Sequence, residues 1–373
     1  MKYPLSFLLF LILVLPGAKA QNTSISTYHP VVIRLQNPEK WKKPLFGPFR
    51  HFEVLDQRPD TLRIGAHMDG SAYARFGKQL ILPKPASQAI AGYLDSHFSD
   101  SGASYTALLV IRALWISDGA FTLSDISQDT TDLTQVKTRI RLKAEIYAER
   151  QGVYIPLFRY DYTSLDRNGS YPAADHKLMV MLNELADSAA VVLSKKGGAG
   201  RQLSLADISK FNRSRFEPAI YSDSALVRGV YHDFQEFKDN APSIHEFETV
   251  KEGKNKLLLY LKSPGQEATY SRDAWGYCDG SNIYIMKDGI LVPAWREQKA
   301  FYLLGQPEEG DFARSKPSIA LFVPIIIGAV PLGGGVNAYM SPSPGVPPAS
   351  QGAKRSAFVK HLFAVDMDTG KLY

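Results

Sequence analysis

Cysteine is almost missing: Cys278 is the one thiol in 373 residues. No internal disulfide can form, and cysteine-rich zinc or iron–sulfur sites are excluded. Stability must come from core burial, which a chain of this length can supply. The catalytic signatures easiest to recognise are missing as well. There is no Gly-x-Ser-x-Gly elbow. His245-Glu246 lacks the second histidine of a zinc-binding helix. Gly197-Gly198-Ala199-Gly200-Arg201 lacks the Gly-Lys-Ser/Thr ending of a phosphate-binding loop. A basic tail, zinc-finger spacing and a recognition-helix pattern are lacking, so nucleic acid is not an expected partner. No cofactor is implied.

Charge vanishes from residues 317–353. Within that stretch Ile319 to Val336 is strongly apolar but broken by Pro324, Gly328, Pro331 and Gly333-Gly334-Gly335. Ser341 to Pro348 then has a loop composition. Contact with a membrane is one reading of the segment, because about 18 apolar residues could nearly span a bilayer. An extended core segment or a partner-facing loop is the other.

What is present suits a folded protein: 45% hydrophobic and 21% charged residues. Residues 1–20 read as a secretory leader. Lys2 opens it, Phe7 to Leu15 is apolar, Pro16-Gly17 breaks the helix, and Ala18-Lys19-Ala20 fits signal peptidase. Cleavage would leave Gln21 first, with no cysteine there for a lipid anchor. Loss of Lys2 and Lys19 lowers the formal charge from +6 to +4, a mild excess suited to anionic envelope surfaces.

Residues 21–50 form a lead-in, with Pro30 to Ile33 a short strand. An α+β unit is expected over 51–215, an antiparallel sheet backed by two helices. Ala86, Ile90, Leu94 and Phe98 share one face of a helix. Tyr105 to Ile116 is apolar on both faces, as a central strand would be. Lys137 to Glu149 alternates, and Val153 to Tyr162 returns beside it. Asp175 is expected to cap a second helix carrying Leu178, Leu182, Leu185, Ala189 and Val192, and Ser204 with Asp207 resembles a capping box. Residues 216–305 read as a mostly β meander, with turns at Asp279-Gly280 and Asp288-Gly289. The segment 306–353 is apolar and rich in proline and glycine, and 354–373 is a closing strand and turn.

Several constellations could carry function. Lys137, Arg139, Arg141 and Lys143 form an outward row at steps of roughly 7 Å, able to meet lipid phosphates or an acidic polysaccharide. A wet sheet face with acidic neighbours is the alternative. Tyr270, Trp275, Tyr277, Tyr284, Trp295 and Tyr302 crowd the meander, where they could stack on sugars, clamp a peptide or simply pack. His67 and Asp69 offer two metal ligands without a third. Asp118, Asp125, Asp129 and Asp132 make an acidic loop without a calcium-loop spacing. Asp273 and Asp279 could pair as acid and base in a glycosidase. Asp368-Thr369-Gly370 has the aspartic-protease tripeptide but reads as a turn, and Cys278 as a small buried residue.

The strand running into Asp56-x-Arg58, then Ile64-Gly65, a helix ending at Phe98, long strands and the Asp175 helix resembles periplasmic lipoproteins that assist transporters or the cell envelope. The likeness covers about 51–196. Trp275-Gly276-Tyr277-Cys278-Asp279-Gly280 and Ala364-Val365-Asp366 before Gly370 resemble uncharacterised exported proteins of Gram-negative bacteria. Together these imply an exported protein, periplasmic or associated with the outer membrane, alternatively extracellular. It is expected to work without catalysis, by binding an envelope protein or anionic membrane surface. A secreted hydrolase acting on glycans or peptides through paired carboxylates is the alternative.

Overall fold

The structure, a computed structural model, describes residues 26–35, 47–68, 77–118, 138–166, 171–196, 200–213, 217–222, 226–253, 256–287, 289–305, 318–321 and 361–372. The leader, Lys137 and most of the uncharged segment lie outside those residues.

In chain order the first unit contains β1 (Ser26–Val32), β2 (Phe49–Asp56), β3 (Gly65–Met68), β4 (Gly77–Ile81), α1 (Ala86–Phe98), β5 (Tyr105–Asp118), β6 (Thr138–Arg150), β7 (Val153–Asp166), α2 (Tyr171–Lys196) and α3 (Leu205–Arg213). The second contains β8 (Gly229–Tyr231), α4 (Phe234–Lys238), β9 (Phe247–Glu252), β10 (Lys256–Leu261), β11 (Thr269–Ser271), β12 (Gly276–Cys278), β13 (Ile283–Lys287), β14 (Ile290–Glu297) and β15 (Ala300–Gly305). β16 (Ser318–Leu321) and β17 (His361–Ala364) follow. The fold is α+β.

An eight-stranded sheet runs β1-β4-β3-β5-β6-β7-β16, with β2 also on β5. It is mixed rather than antiparallel: β1 with β4, β2 with β5 and β3 with β5 are parallel pairs. For the two pairs with β5 the cause is α1, which carries the chain back between β4 and β5 and so permits a parallel return; β1 and β4 are instead joined through the intervening strands β2 and β3. β5 is long enough for β2 and β3 to lie along it in succession. One lead-in strand, β1, belongs to this sheet, and so does β16 from the uncharged segment, antiparallel to β7.

Ala86, Ile90, Leu94 and Phe98 are all buried, and α1 packs on β2. α2 begins before Asp175, with Pro172 in its first turn, where the missing N–H costs nothing. Asp175 accepts from the His176 amide (2.6 Å) inside the helix. Leu178, Leu182, Leu185 and Ala189 join the same core. Ser204 and Asp207 do form a capping box: Oγ accepts from the Asp207 amide at 3.1 Å, and Oδ2 accepts from the Ser204 amide at 2.9 Å.

β5 is buried on both faces. Ala107, Leu109, Ile111, Leu114 and Ile116 face the helices. The alternation skips at Arg112, where β6 pairs Ile111 with Ala144 and Ala113 with Lys143. This bulge puts Ala113 and Trp115 on the face away from the helices.

That face receives the second unit, a six-stranded antiparallel sheet ordered β17-β15-β14-β13-β12-β8. Gly280 and Gly289 hold the positive φ their turns require, +99° and +74°. Ala66, Ala113 and Trp115 pack against Ala300, Tyr302, Leu362 and Ala364. The Trp115 indole donates to the Leu362 carbonyl at 3.2 Å. The three-stranded sheet β11-β10-β9 shares an apolar cluster with Val230, Tyr277 and Leu291. Among the described residues no helix is long and apolar enough to cross a membrane.

Candidate functional site

Three members of the basic row, Arg139, Arg141 and Lys143, are largely withdrawn from solvent. Alternation along β6 places Arg139, Arg141 and Lys143 on the face opposite the helix core, and the chain's last turn covers that face. Arg139 donates to the Leu372 carbonyl at 3.1 Å. Arg141 pairs with Asp161 at 2.5 Å and lies 3.6 Å from Asp366. Lys143 meets Asp366 at 3.4 Å and also pairs with Asp368. The turn is built to present these carboxylates: Asp366 accepts from the Asp368 amide at 2.9 Å, and its carbonyl accepts from the Gly370 amide at 2.7 Å. The Asp368-Thr369-Gly370 tripeptide is thus a turn docked on a sheet. An anion site on these three residues is corrected to an internal seam.

The seam continues beyond the turn at Asp366 to Gly370. Asp60 accepts from Arg63 Nε at 2.5 Å and from the Tyr302 hydroxyl at 2.7 Å. Arg63 also pairs with Glu297 and lies 5.4 Å from the Tyr302 ring centroid. Burial alone would lower the Arg63 pKa; Asp60, Tyr302 and Glu297 outweigh it and raise the value. The Asp56-x-Arg58 motif closes on itself, with Arg58 Nε and Nη2 donating to the two Asp56 oxygens at 2.8 and 2.7 Å.

Asp366→Asn should keep the turn's amide bond while removing the charge that Arg141 and Lys143 face. These partners retain some solvent, so we expect a loss of about 2 kcal/mol, below the range for a fully buried pair. Urea unfolding checks it, and Lys143→Met added to Asp366→Asn should cost less than the separate effects combined. Strict additivity would disprove the pairing.

The aromatic set is divided among separate clusters. Trp275 packs in a core with Phe237 (4.2 Å) and Phe234 (5.3 Å), its ring tilted against both. Tyr277 and Tyr284 stack on each other at 5.4 Å, and Phe247 lies 5.1 Å from Tyr277. Trp295 and Tyr302 belong to the seam, with Trp115 5.0 Å from Tyr302. Tyr270 donates to the Gly289 carbonyl at 2.5 Å. Of the readings open for these rings, packing is what the structure shows, in four separate places. Cys278 is buried, and burial pushes its thiol pKa up.

Asp118 lies at the end of β5, nearly buried, with the His67 Nδ1 at 2.5 Å and the Thr138 hydroxyl donating at 2.8 Å. Strand register brings the three together: His67 opposes Asp118, which opposes Thr138. A carboxylate on Nδ1 fixes the ring as it does for general-base histidines. Asp69, Asp125, Asp129 and Asp132 fall outside the described residues. No group of three metal-ligating side chains occurs among the described ones.

On the second sheet's other face is a cavity of about 350 Å³. Ile283, Ala294 and Phe301 make its floor, with Ile220 and Leu226 over them. Ile283 and Phe301 belong to the core on the face opposite Tyr302, and Trp295, which packs beside Tyr302 in the seam, also borders the cavity. Ser222, Ser281, Asn282 and Arg296 supply polar groups. Arg296 Nη1 donates to the Ile220 carbonyl at 3.2 Å, tying the rim to the 3₁₀ turn Ala219–Tyr221. Asn282 is fixed by Asp279, which accepts from its amide nitrogens at 2.7 and 3.0 Å. Burial would raise the Asp279 pKa, but bonds from Asn282, Ser281 and Tyr284 hold it below the usual carboxylate range. Asp279 is thereby a loop anchor, while Asp273 is exposed. Sequence reasoning missed this cavity: the residues over it lie in an irregular stretch before β8, and its floor looks like ordinary strand alternation.

No family model matches the chain, and no curated protein matches it. One solved structure, described only as an uncharacterized protein, aligns with 44% of this chain and 97% of its own, at 11% identity and a TM-score of 0.24. At that score the likeness carries no argument.

Proposed function

We propose that the protein is an exported component of the cell envelope that works by binding, in an accessory role, with the first unit as platform and the second as the ligand-bearing part. The cavity carries this reading. It has an apolar floor and a few polar groups at the rim, the general form of a small-ligand site. It opens on the face that the seam leaves uncovered. The sequence of residues 1–20 supports export, and the likeness of residues 51–196 to envelope accessory lipoproteins supports the role.

The hydrolase reading has one observation in its favour, the His67–Asp118 pair. A single experiment separates the two. The full chain is expressed and exported, its mature N-terminus is sequenced, and amide exchange is followed with a panel of glycan fragments and short peptides. We expect a first residue of Gln21, and protection confined to 219–222, 281–283 and 294–296 that Ser281→Phe removes. Protection elsewhere alone, or none, would overturn the binding reading. Turnover of a panel member that His67→Ala abolishes would replace it with the enzyme.

A further inference from the structure

We propose that the outer edge of β9 docks an extended segment of a partner protein as an added antiparallel strand, acidic opposite Lys251 and basic opposite Glu246. Among the described residues β9 bonds to β10 on one side alone. The Lys262 amide donates to the Glu246 carbonyl at 3.0 Å, and alternation along the antiparallel pair then turns Glu248, Val250 and Glu252 toward β10. Phe247, Thr249 and Lys251 turn their N–H and C=O groups to the open side, where no described residue bonds them. The edges of β2 and β8 are closed instead. The Phe52 amide donates to Asp95 at 2.7 Å, the Phe49 carbonyl accepts from the Asp100 amide at 2.9 Å, and Val230 exchanges bonds with Ile244. β9 runs six residues without proline or bulge, which makes it a template for strand addition.

The side chains define the partner. Glu246 and Lys251 are exposed and have no ion-pair partner among the described residues, whereas Glu248 and Glu252 are matched by Lys262 (2.9 Å) and Lys256 (3.7 Å). An antiparallel segment therefore meets an open cation first and an open anion five positions later. Between them Val250, 41% exposed and paired with Leu258, favours an apolar residue. A second copy of β9 fits poorly. Outward-turned residues must face one another, so the row of Glu246, Glu248, Val250 and Glu252 would meet its own kind. Registers centred on Glu248, Thr249 and Val250 set Glu248 against Glu248, Glu246 against Glu252, and Glu248 against Glu252. Like charges directly opposite disfavour all three.

Calorimetry and amide exchange on the full chain test this with acetyl-Thr-Glu-Val-Thr-Thr-Val-Lys-amide, whose Glu and Lys fall opposite Lys251 and Glu246. We expect binding that protects the amides of Phe247, Thr249 and Lys251, weakened about tenfold by Thr249→Pro. Proline there removes an outward N–H and leaves the ladder to β10 whole, and unchanged slow exchange at Val250 and Leu258 reports that β9 still stands. A peptide with lysine in place of its glutamate should bind the natural chain about threefold more weakly, and Lys251→Glu should reverse that order. The cavity takes no part, so Ser281→Phe should leave this binding unchanged, and failure here is distinct from failure of the cavity reading. No binding, protection outside β9, or binding indifferent to Thr249→Pro would overturn the edge assignment. A dimer in sedimentation that Thr249→Pro dissolves would give the edge to a second copy and overturn it too. A peptide order that Lys251→Glu leaves alone would overturn the charge pattern.

Discussion

Glu145→Ala is expected to destabilise the protein by about 3–5 kcal/mol, enough to consume a large part of a domain's net stability. Glu145 is buried on the seam side of β6 and neutralises several donors at once. Arg112 Nη2 donates to it at 2.7 Å, the Tyr147 hydroxyl at 2.9 Å, and Arg159 Nε lies 3.3 Å away. Arg112 also bonds Gln57 and is the bulged residue of β5. Burial lowers the Arg112 pKa despite Glu145, so the ion is already held at a cost. Without Glu145 its charge would stay desolvated with its hydrogen-bonded carboxylate gone. Glu145→Gln, which keeps an acceptor, should lose less. Arg112→Met with Glu145→Leu should recover most of the loss, since paired burial can be exchanged for apolar burial. Urea midpoints measure all three; a loss below about 1 kcal/mol for the alanine variant would show that the cluster contributes little.

The second large effect is alkaline unfolding. Tyr147, Tyr160 and Tyr231 are buried, and burial raises each phenol well above its ordinary value of 10.0; Glu145, Glu184 and the Cys278 thiol add to the rise respectively. Above pH 10 the unfolded chain releases these protons while the native chain keeps them. The native state then holds more protons, and stability falls as pH rises. Each group contributes about 1.4 kcal/mol per pH unit, so the three together give a slope of about 4 kcal/mol per unit until they ionise in the native state. Cys278, raised from 9.0, starts the decline earlier. Between pH 7 and 8.5 these groups should leave stability unchanged. Denaturation at pH 8–11.5, with phenolate absorbance read in parallel, checks the sign and slope; a flat profile above pH 10 is incompatible with these burials.

Local geometry was largely legible. The stripe from Ala86 to Phe98 marked α1, and the alternation from Lys137 to Glu149 marked β6, because periodicity reports which residues share a face. Asp-Gly pairs located turns for the same local reason. What covers a face is a different matter. Arg139, Arg141 and Lys143 alternate as a solvent-exposed row would, and nothing nearby in sequence distinguishes water from Asp366 and Asp368. Those partners lie more than 220 residues away. The division of the aromatic residues was hidden for a similar reason, since strands place consecutive rings on opposite faces and the division becomes visible only with both layers present. The mixed sheet was missed because apolar runs carry no direction. His67 and Asp118 meet through a parallel register set by α1, so neither neighbour announces the other.

The span of those seam contacts has a kinetic consequence. Trp115 with Leu362, Tyr302 with Asp60, and Arg139 with Leu372 each join residues separated by 233 to 247 positions. Closing such loops is slow, so the first sheet must stand by itself while the rest of the chain is still arranging. During that interval its outer face is a bare sheet surface, the kind that recruits other chains. The arginines and lysine of β6 then act as guards, keeping Ala113 and Trp115 among hydrated charges until the acidic turn with Asp366 and Asp368 arrives. Exchanging that row for leucines would leave Asp366 and Asp368 without counter-charges in the finished seam, and it would also lower the yield, because the charges would be missed before they are ever paired.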